Sequence, residues 1–189
     1  TPRNPSLELT IKTSQLNLEM LLKTILGKSP ITGSNLELQA NFKSRGSNLA
    51  ELVNNLDGKI LTTAGPGQYL NASSKLGNLF SDILGAMFTI DKRQASTAFT
   101  CAVINLKVNN GIASANNGIA LEASTVNVLG NGRLDLRNGR IDVSITPQNI
   151  SKNPLDVAQF NLAQLIKISG TISKPTVNFD PMSLLTMNN

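Results

Sequence analysis

Apolar and polar residues alternate along most of the chain, and the alternation is most regular between Ala98 and Pro147. An alternation of period two places every second side chain on the same face of a strand. Short segments rich in asparagine and glycine separate the alternating runs and mark turns. The region therefore predicts a central series of half-buried antiparallel strands.

The segment from Leu134 to Ile145 predicts a hairpin with a defined register. Asn138-Gly139 is a residue pair favoured by two-residue turns, in which both residues have positive φ. We expect neighbouring arginines to keep Asp135 and Asp142 ionised on a solvent face, which argues against a catalytic carboxylate pair. The pairs predicted across the hairpin are Arg137 with Arg140, Leu136 with Ile141, Asp135 with Asp142 and Leu134 with Val143.

Similar alternation predicts strands at residues 7–12, 36–43, 58–64 and 166–179. Short helices are predicted at Leu18–Leu26 and Leu49–Leu56, the second with Ser47-Asn48 as an N-cap signal. Residues 1–5 have the composition of a linker remnant. We therefore predict one mainly β (α+β) domain over residues 1–189, a curved antiparallel sheet or trough of roughly ten strands with one amphipathic helix packed on it.

That helix is predicted at residues 73–88, where apolar residues recur three and four positions apart. We expect its apolar side to pack on the sheet, with a movable lid or a partner-binding helix as alternatives. Its polar side lacks the lysine and arginine enrichment of helices that lie on membranes. The apolar residues of this helix are Leu76, Leu79, Phe80, Ile83, Leu84, Met87 and Phe88.

Composition excludes several classes of function. The chain has no histidine, one cysteine, 4% aromatic residues and a formal net charge of +5. Histidine-based catalysis is excluded, and we predict no enzyme activity, metal, cofactor or nucleic-acid partner. Gly27-Lys28-Ser29 lacks the earlier glycine of a phosphate-binding loop. Cys101 follows the alternation beside Phe99, and we expect it to be a small buried apolar side chain.

Three segments together resemble the C-terminal region of the AsmA family. The central strand series contains Gly130-Asn131-Gly132-Arg133-Leu134-Asp135-Leu136 and ends in an Ile-Asp-Val-Ser-Ile-Thr-Pro run. Residues 168–177 resemble the closing strand pair of that family, and residues 42–58 resemble its strand, short helix and Leu-x-Gly segment. The resemblance covers nearly the whole chain.

The resemblance implies a periplasmic segment of a protein that an N-terminal helix anchors in the inner membrane of a Gram-negative bacterium. Starting at Thr1 without a signal peptide, the chain is expected to be part of a longer protein, with that anchor helix outside this segment. AsmA-like proteins are similar to bridge-like lipid transfer proteins and support phospholipid transport and outer-membrane integrity. Phospholipid and an envelope protein are therefore the expected partners.

Two functions follow from this resemblance. In the first, an apolar strand-built groove binds lipid; in the second, the chain is a structural or docking end domain that caps the trough or contacts a protein and binds no lipid. The same apolar residues would line the groove in the first case and form a core in the second. The predicted groove residues are Leu36, Leu38, Phe42, Leu134, Leu136, Ile141, Val143 and Ile145.

Overall fold

The computed structural model of the protein describes residues 5–70, 95–124, 126–149 and 165–180. These residues form eleven strands and two helices. The elements are β1 (Ser6–Asn17), α1 (Leu18–Leu26), β2 (Ile31–Thr32), β3 (Asn35–Arg45), α2 (Leu49–Asn54), β4 (Asp57–Ala64), β5 (Gly67–Leu70), β6 (Ser96–Asn109), β7 (Ile112–Ala123), β8 (Val126–Asp135), β9 (Arg140–Asn149), β10 (Leu165–Thr171) and β11 (Lys174–Asp180).

All eleven strands belong to one open antiparallel sheet. Nine of them form a continuous path in the order β1-β3-β4-β6-β7-β8-β9-β10-β11. The short strands β5 and β2 extend this sheet beside the N-terminal part of β6. The prediction of a mainly β antiparallel sheet of about ten strands is confirmed. The predicted helix at 73–88, with Leu76 through Phe88, lies outside the described residues.

The first part of the chain forms the elements that its pattern predicts. Helix α1 has the predicted bounds and ends at Gly27, which has a φ of 76°. Helix α2 ends at Asn54, two residues before the predicted end. The Glu51 N–H donates to the Asn48 side chain at 2.9 Å, which confirms the N-cap. Gly65-Pro66 separates β4 from β5, as expected of a strand-breaking pair.

The predicted register of the β8–β9 hairpin is wrong by two residues. Asp135 lies opposite Arg140, Leu134 opposite Ile141, and Arg133 opposite Asp142. Four residues, 136–139, therefore form the turn, and Leu136 lies outside the strands. A shift of two residues keeps each strand side chain on its predicted face. Opposite charges are now paired across the strands.

The side chain of Asp135 explains the longer turn. Its Oδ1 accepts the Arg137 N–H at 3.0 Å, and its main-chain oxygen accepts the Gly139 N–H at 2.8 Å. A two-residue type I′ turn, which the Asn-Gly pair favours, would require positive φ at both Asn138 and Gly139. Positive φ is found at Gly139, at 70°, and not at Asn138. Local bonding by the aspartate therefore determines the register.

The prediction for Cys101 is also wrong. A β-bulge between Phe99 and Cys101 adds one residue to β6 relative to β7. Because of this extra residue, the Phe99 side chain is 5% exposed in the core, while Cys101 pairs with Glu122 and lies on the opposite face. Cys101 is half-buried there, with its Sγ 3.8 Å from Glu122 Oε2.

Candidate functional site

One face of the sheet is apolar over its whole width, and we name it the apolar face. Each residue of the rows below pairs directly with the next on the neighbouring strand. The first row contains only apolar residues and glycines and crosses nine strands: Leu9, Phe42, Gly58, Val108, Ala113, Leu134, Ile141, Gly170 and Pro175. The second crosses eight strands: Thr13, Leu38, Thr62, Ile104, Ile119, Gly130, Ile145 and Ile166.

The opposite face, which we name the polar face, has a matching row of polar residues. Directly opposed side chains on neighbouring strands point to the same face. The two faces are therefore chemically separated across the same strands. The polar row is Thr10, Asn41, Lys59, Lys107, Ser114, Arg133, Asp142, Ser169 and Thr176.

The apolar face has a closed section on β8, β9 and β10. Val128, Ile145, Ile166 and Ile168 are between 0% and 4% exposed and belong to the hydrophobic core. Burying a large aliphatic side chain contributes about 1.5–3 kcal/mol to folding. This section therefore stabilises the fold and is not accessible to a ligand without rearrangement.

The apolar face also has an open section on β1 and β6. Leu7, Leu9 and Ile104 are 49%, 45% and 42% exposed, and Leu16 is 37% exposed. Two strands, β3 and β4, lie between β1 and β6 in the sheet. At a strand spacing of about 4.8 Å, β1 and β6 are roughly 14 Å apart. Large contiguous patches of exposed apolar side chains mark interaction surfaces, which makes this section the candidate binding surface.

The predicted groove residues fall into two groups on this face. Leu36, Leu38 and Phe42 lie on β3 and are half-buried beside the open section. The second group, on β8 and β9, is separated from the first by β4, β6 and β7. Leu134, Ile141 and Val143 are half-buried there and Ile145 is fully buried. Leu36, Ile141 and Val143 pack against the core.

Leu136 does not lie on the apolar face with the others. It belongs to the turn between β8 and β9, its side chain is 38% exposed, and its N–H donates to the Gly111 oxygen at 2.9 Å. Leu136 lies off the apolar face because Asp135 stabilises a four-residue turn, 136–139, in place of the predicted two-residue turn. Leu136 is therefore removed from the candidate site.

Four exposed residues of the open section were absent from the predicted site: Leu7, Leu9, Leu16 and Ile104. The alternation of Leu7, Leu9 and Ile11 was a usable signal for the first strand. Around Ile104 the signal was ambiguous, because residues 101–104 are four consecutive apolar residues. Strand neighbours must be known before such a run can be assigned to a face.

A pair of oppositely charged side chains lies in the β8–β9 hairpin. Arg137 binds Asp135 through two nitrogen atoms, with distances of 2.8 Å and 2.7 Å. The hydrogen bonds from Arg137 lower the pKa of Asp135 to about 2, and those to Asp135 raise the pKa of Arg137. The carboxylate therefore stays ionised at neutral pH and acts in the turn. It is not poised to take up a proton.

No group of three or more potential metal ligands of the histidine, cysteine, aspartate and glutamate types is found within the described ranges. In the same part of the chain, neither helix has the length and apolar composition needed to cross a bilayer.

Comparison with protein-family models, with curated proteins and with solved structures finds no match for this chain.

Proposed function

We propose that this chain is a non-enzymatic segment of an AsmA-like periplasmic protein that binds phospholipid acyl chains on the apolar face of its sheet. The rest of that protein would anchor it in the inner membrane through a helix outside this segment. Its role would be to support phospholipid transport to the outer membrane and outer-membrane integrity. The main support is the exposure of the apolar residues Leu7, Leu9 and Ile104 on the apolar face.

The energetics of lipid movement favour this proposal. Each acyl methylene group exposed to water costs about 0.8 kcal/mol, so a sixteen-carbon chain costs on the order of 12 kcal/mol. A protein that conducts lipid through an aqueous space must therefore shield the acyl chain. Nine strands at a spacing of about 4.8 Å span roughly 38 Å. The open part of this width, roughly 14 Å between β1 and β6, would shield part of the acyl chain.

The two sections of the apolar face have different roles in this proposal. The closed section, around Ile145 and Ile168, supplies the folding energy. The open section, around Leu9 and Ile104, contacts the acyl chain, and half-buried Leu38 and Phe42 lie between its two exposed parts. The phospholipid headgroup remains in water.

A second candidate function is a structural or docking end domain that binds a protein and no lipid. The burial of Val128, Ile166 and Ile168 favours it, because that part of the apolar face already has a core function. In this case the exposed leucines of β1 would contact an envelope protein.

Native mass spectrometry of the purified chain, followed by lipid extraction, separates the two functions. We expect one or more phospholipids to remain bound through purification, because returning an acyl chain to water is unfavourable. A chain that purifies without lipid and takes up none from phosphatidylethanolamine and phosphatidylglycerol vesicles would contradict lipid binding and favour the docking function.

A further inference from the structure

Strand β1 forms one edge of the sheet. It pairs with β3 on one side, and no described strand pairs with it on the other. Its residues Ser6 to Thr13 pair with β3 without interruption, and a bulge follows at Ser14 and Gln15, where Gln15 has a φ of 59°. A regular edge of this length presents unpaired N–H and C=O groups that can pair with another strand.

The regular part of this edge is complementary to itself in one antiparallel register. Two copies of β1 related by a two-fold axis at Thr10 place Glu8 of each copy opposite Lys12 of the other. The same register places Leu9 opposite Ile11 and Leu7 opposite Thr13. Opposite charges therefore meet on the polar face, and Leu9 meets Ile11 on the apolar face.

The neighbouring symmetric registers lack the two ion pairs, although the axis at Leu9 also pairs apolar side chains with one another. Moving the axis to Leu9 pairs Glu8 with Thr10 and Lys12 with Ser6. Moving it to Ile11 pairs Lys12 with Thr10 and Glu8 with Ser14. Registers with the axis between two neighbouring residues are also possible. They would pair apolar with polar side chains and so mix the two faces. Only the axis at Thr10 forms two ion pairs while keeping both faces matched.

The charges on the edge are available for such pairing. Lys12 lies opposite the neutral Gln39 and forms no salt bridge within the described residues. Glu8 is 3.0 Å from Lys43, and both side chains are more than 70% exposed. An exposed pair of this kind leaves the second carboxylate oxygen of Glu8 open to another cation. In this register Leu9, which is exposed on the apolar face, lies beside Ile11 of the second copy, and the apolar face itself stays open.

The opposite edge of the sheet is less suited to strand addition. Strand β11 has Pro175 at its second position, and proline has no N–H to donate. The Ser14–Gln15 bulge likewise restricts pairing on β1 to its first eight residues. Strand β2 also has a free edge but only two residues, so the segment between Ser6 and Thr13 is the longest regular edge among the described strands.

We propose that β1 is a dimerisation edge, and that its partner is β1 of a second copy of this chain. The two sheets join into one, with the apolar faces on the same side of it. This inference rests on the edge geometry and the charges, and it does not depend on lipid binding. The dimer closes on itself because the two-fold axis uses the same edge of both copies.

Sedimentation velocity over a concentration series tests this proposal. We expect the unaltered chain to sediment as a monomer–dimer equilibrium. Lys12→Glu places Glu8 opposite an acidic residue in both pairs, and its dimer dissociation constant should rise at least about tenfold. Lys59→Glu is the matched control, because it makes the same charge change on the polar face of the interior strand β4. It should leave the dimer unchanged.

Mixing two variants gives a specific test of the register. Glu8→Lys alone should also be largely monomeric, because it places a lysine opposite Lys12 in both of the pairs that join the two copies. A one-to-one mixture of Lys12→Glu and Glu8→Lys restores both opposite-charge pairs and should form a heterodimer. A heterodimer in this mixture, with monomers in each separate sample, supports the axis at Thr10.

Two results would overturn the proposal. The first is an unaltered chain that remains monomeric up to millimolar concentration. The second is a dimer whose dissociation constant is the same in the unaltered chain, in Lys12→Glu and in Glu8→Lys. A Thr10→Cys variant in a Cys101→Ser background checks the axis directly, because paired strands bring the two Cα atoms within the roughly 4.4–6.8 Å of a disulfide. A folded dimer that does not cross-link at this position contradicts the register.

Discussion

Replacing Ile104 with aspartate should remove bound phospholipid from the purified chain. Ile104 lies on β6 in the open section of the apolar face and is 42% exposed, so the substitution should not unfold the protein. A carboxylate at this position would lie against the acyl chain. The effective cost of taking an ion out of water is several kcal/mol, which corresponds to at least about a hundredfold loss of affinity.

Leu61→Asp is the matched control for this substitution. Leu61 lies on the neighbouring strand β4, pairs with Asn105 and therefore points to the polar face. It is 39% exposed, close to the exposure of Ile104. Both variants introduce the same residue into the same pair of strands, and both should retain the unaltered chain's circular dichroism spectrum.

Native mass spectrometry should show lipid on the Leu61→Asp variant and little or none on the Ile104→Asp variant. Equal lipid occupancy in the two folded variants would contradict lipid binding on the apolar face. Loss of lipid from both would indicate that the binding depends on the stability of the strand pair rather than on the face.

The largest effect on stability is expected from Ile168→Ala. Ile168 lies on β10, is 2% exposed and pairs with Val143 on β9 and Val177 on β11. Removing a buried isoleucine side chain leaves a cavity and costs about 2–5 kcal/mol. Equilibrium urea denaturation should show a reduction of this size in the free energy of unfolding.

Ile172→Ala provides the comparison on the same hairpin. Ile172 lies in the turn between β10 and β11 and is 59% exposed, so its truncation should change the free energy of unfolding by less than about 0.5 kcal/mol. If Ile168→Ala were no more destabilising than Ile172→Ala, the closed section would not be the core, and the division of the apolar face would be wrong.

Much of the sheet could be predicted from the sequence because alternation of period two is a local signal. The strand at Asn35–Arg45 alternates leucine, alanine and phenylalanine with polar residues, and its half-buried positions follow that alternation. Helix α1 was predicted with its observed bounds, since its apolar spacing and Gly27 mark both its face and its end.

Features that depend on side-chain bonding or on strand neighbours could not be predicted in the same way. The hairpin register follows from bonds between Asp135 and Arg137, and the dipeptide Asn138-Gly139 alone favoured a shorter turn. The position of Cys101 follows from a bulge that alternation does not reveal. In each case the observed geometry differs from the geometry that the local pattern predicts.

The candidate site was predicted only in part for a related reason. Alternation identifies the apolar face but not which section of that face other elements cover. Ile145 and Leu9 both follow the pattern, yet Ile145 is 4% exposed and Leu9 is 45% exposed. Burial depends on packing between residues far apart in the chain, so the division into open and closed sections required the structure.

Photolabelling with a phospholipid that has a diazirine in its acyl chain tests most directly whether acyl chains bind on the apolar face. After irradiation, peptide mass spectrometry locates the labelled residues. We predict labels at Leu7, Leu9 and Ile104, and none at Leu61 and Leu129, which are exposed apolar side chains on the polar face. Equal labelling of both faces, or labelling confined to Leu61 and Leu129, would contradict the proposed site.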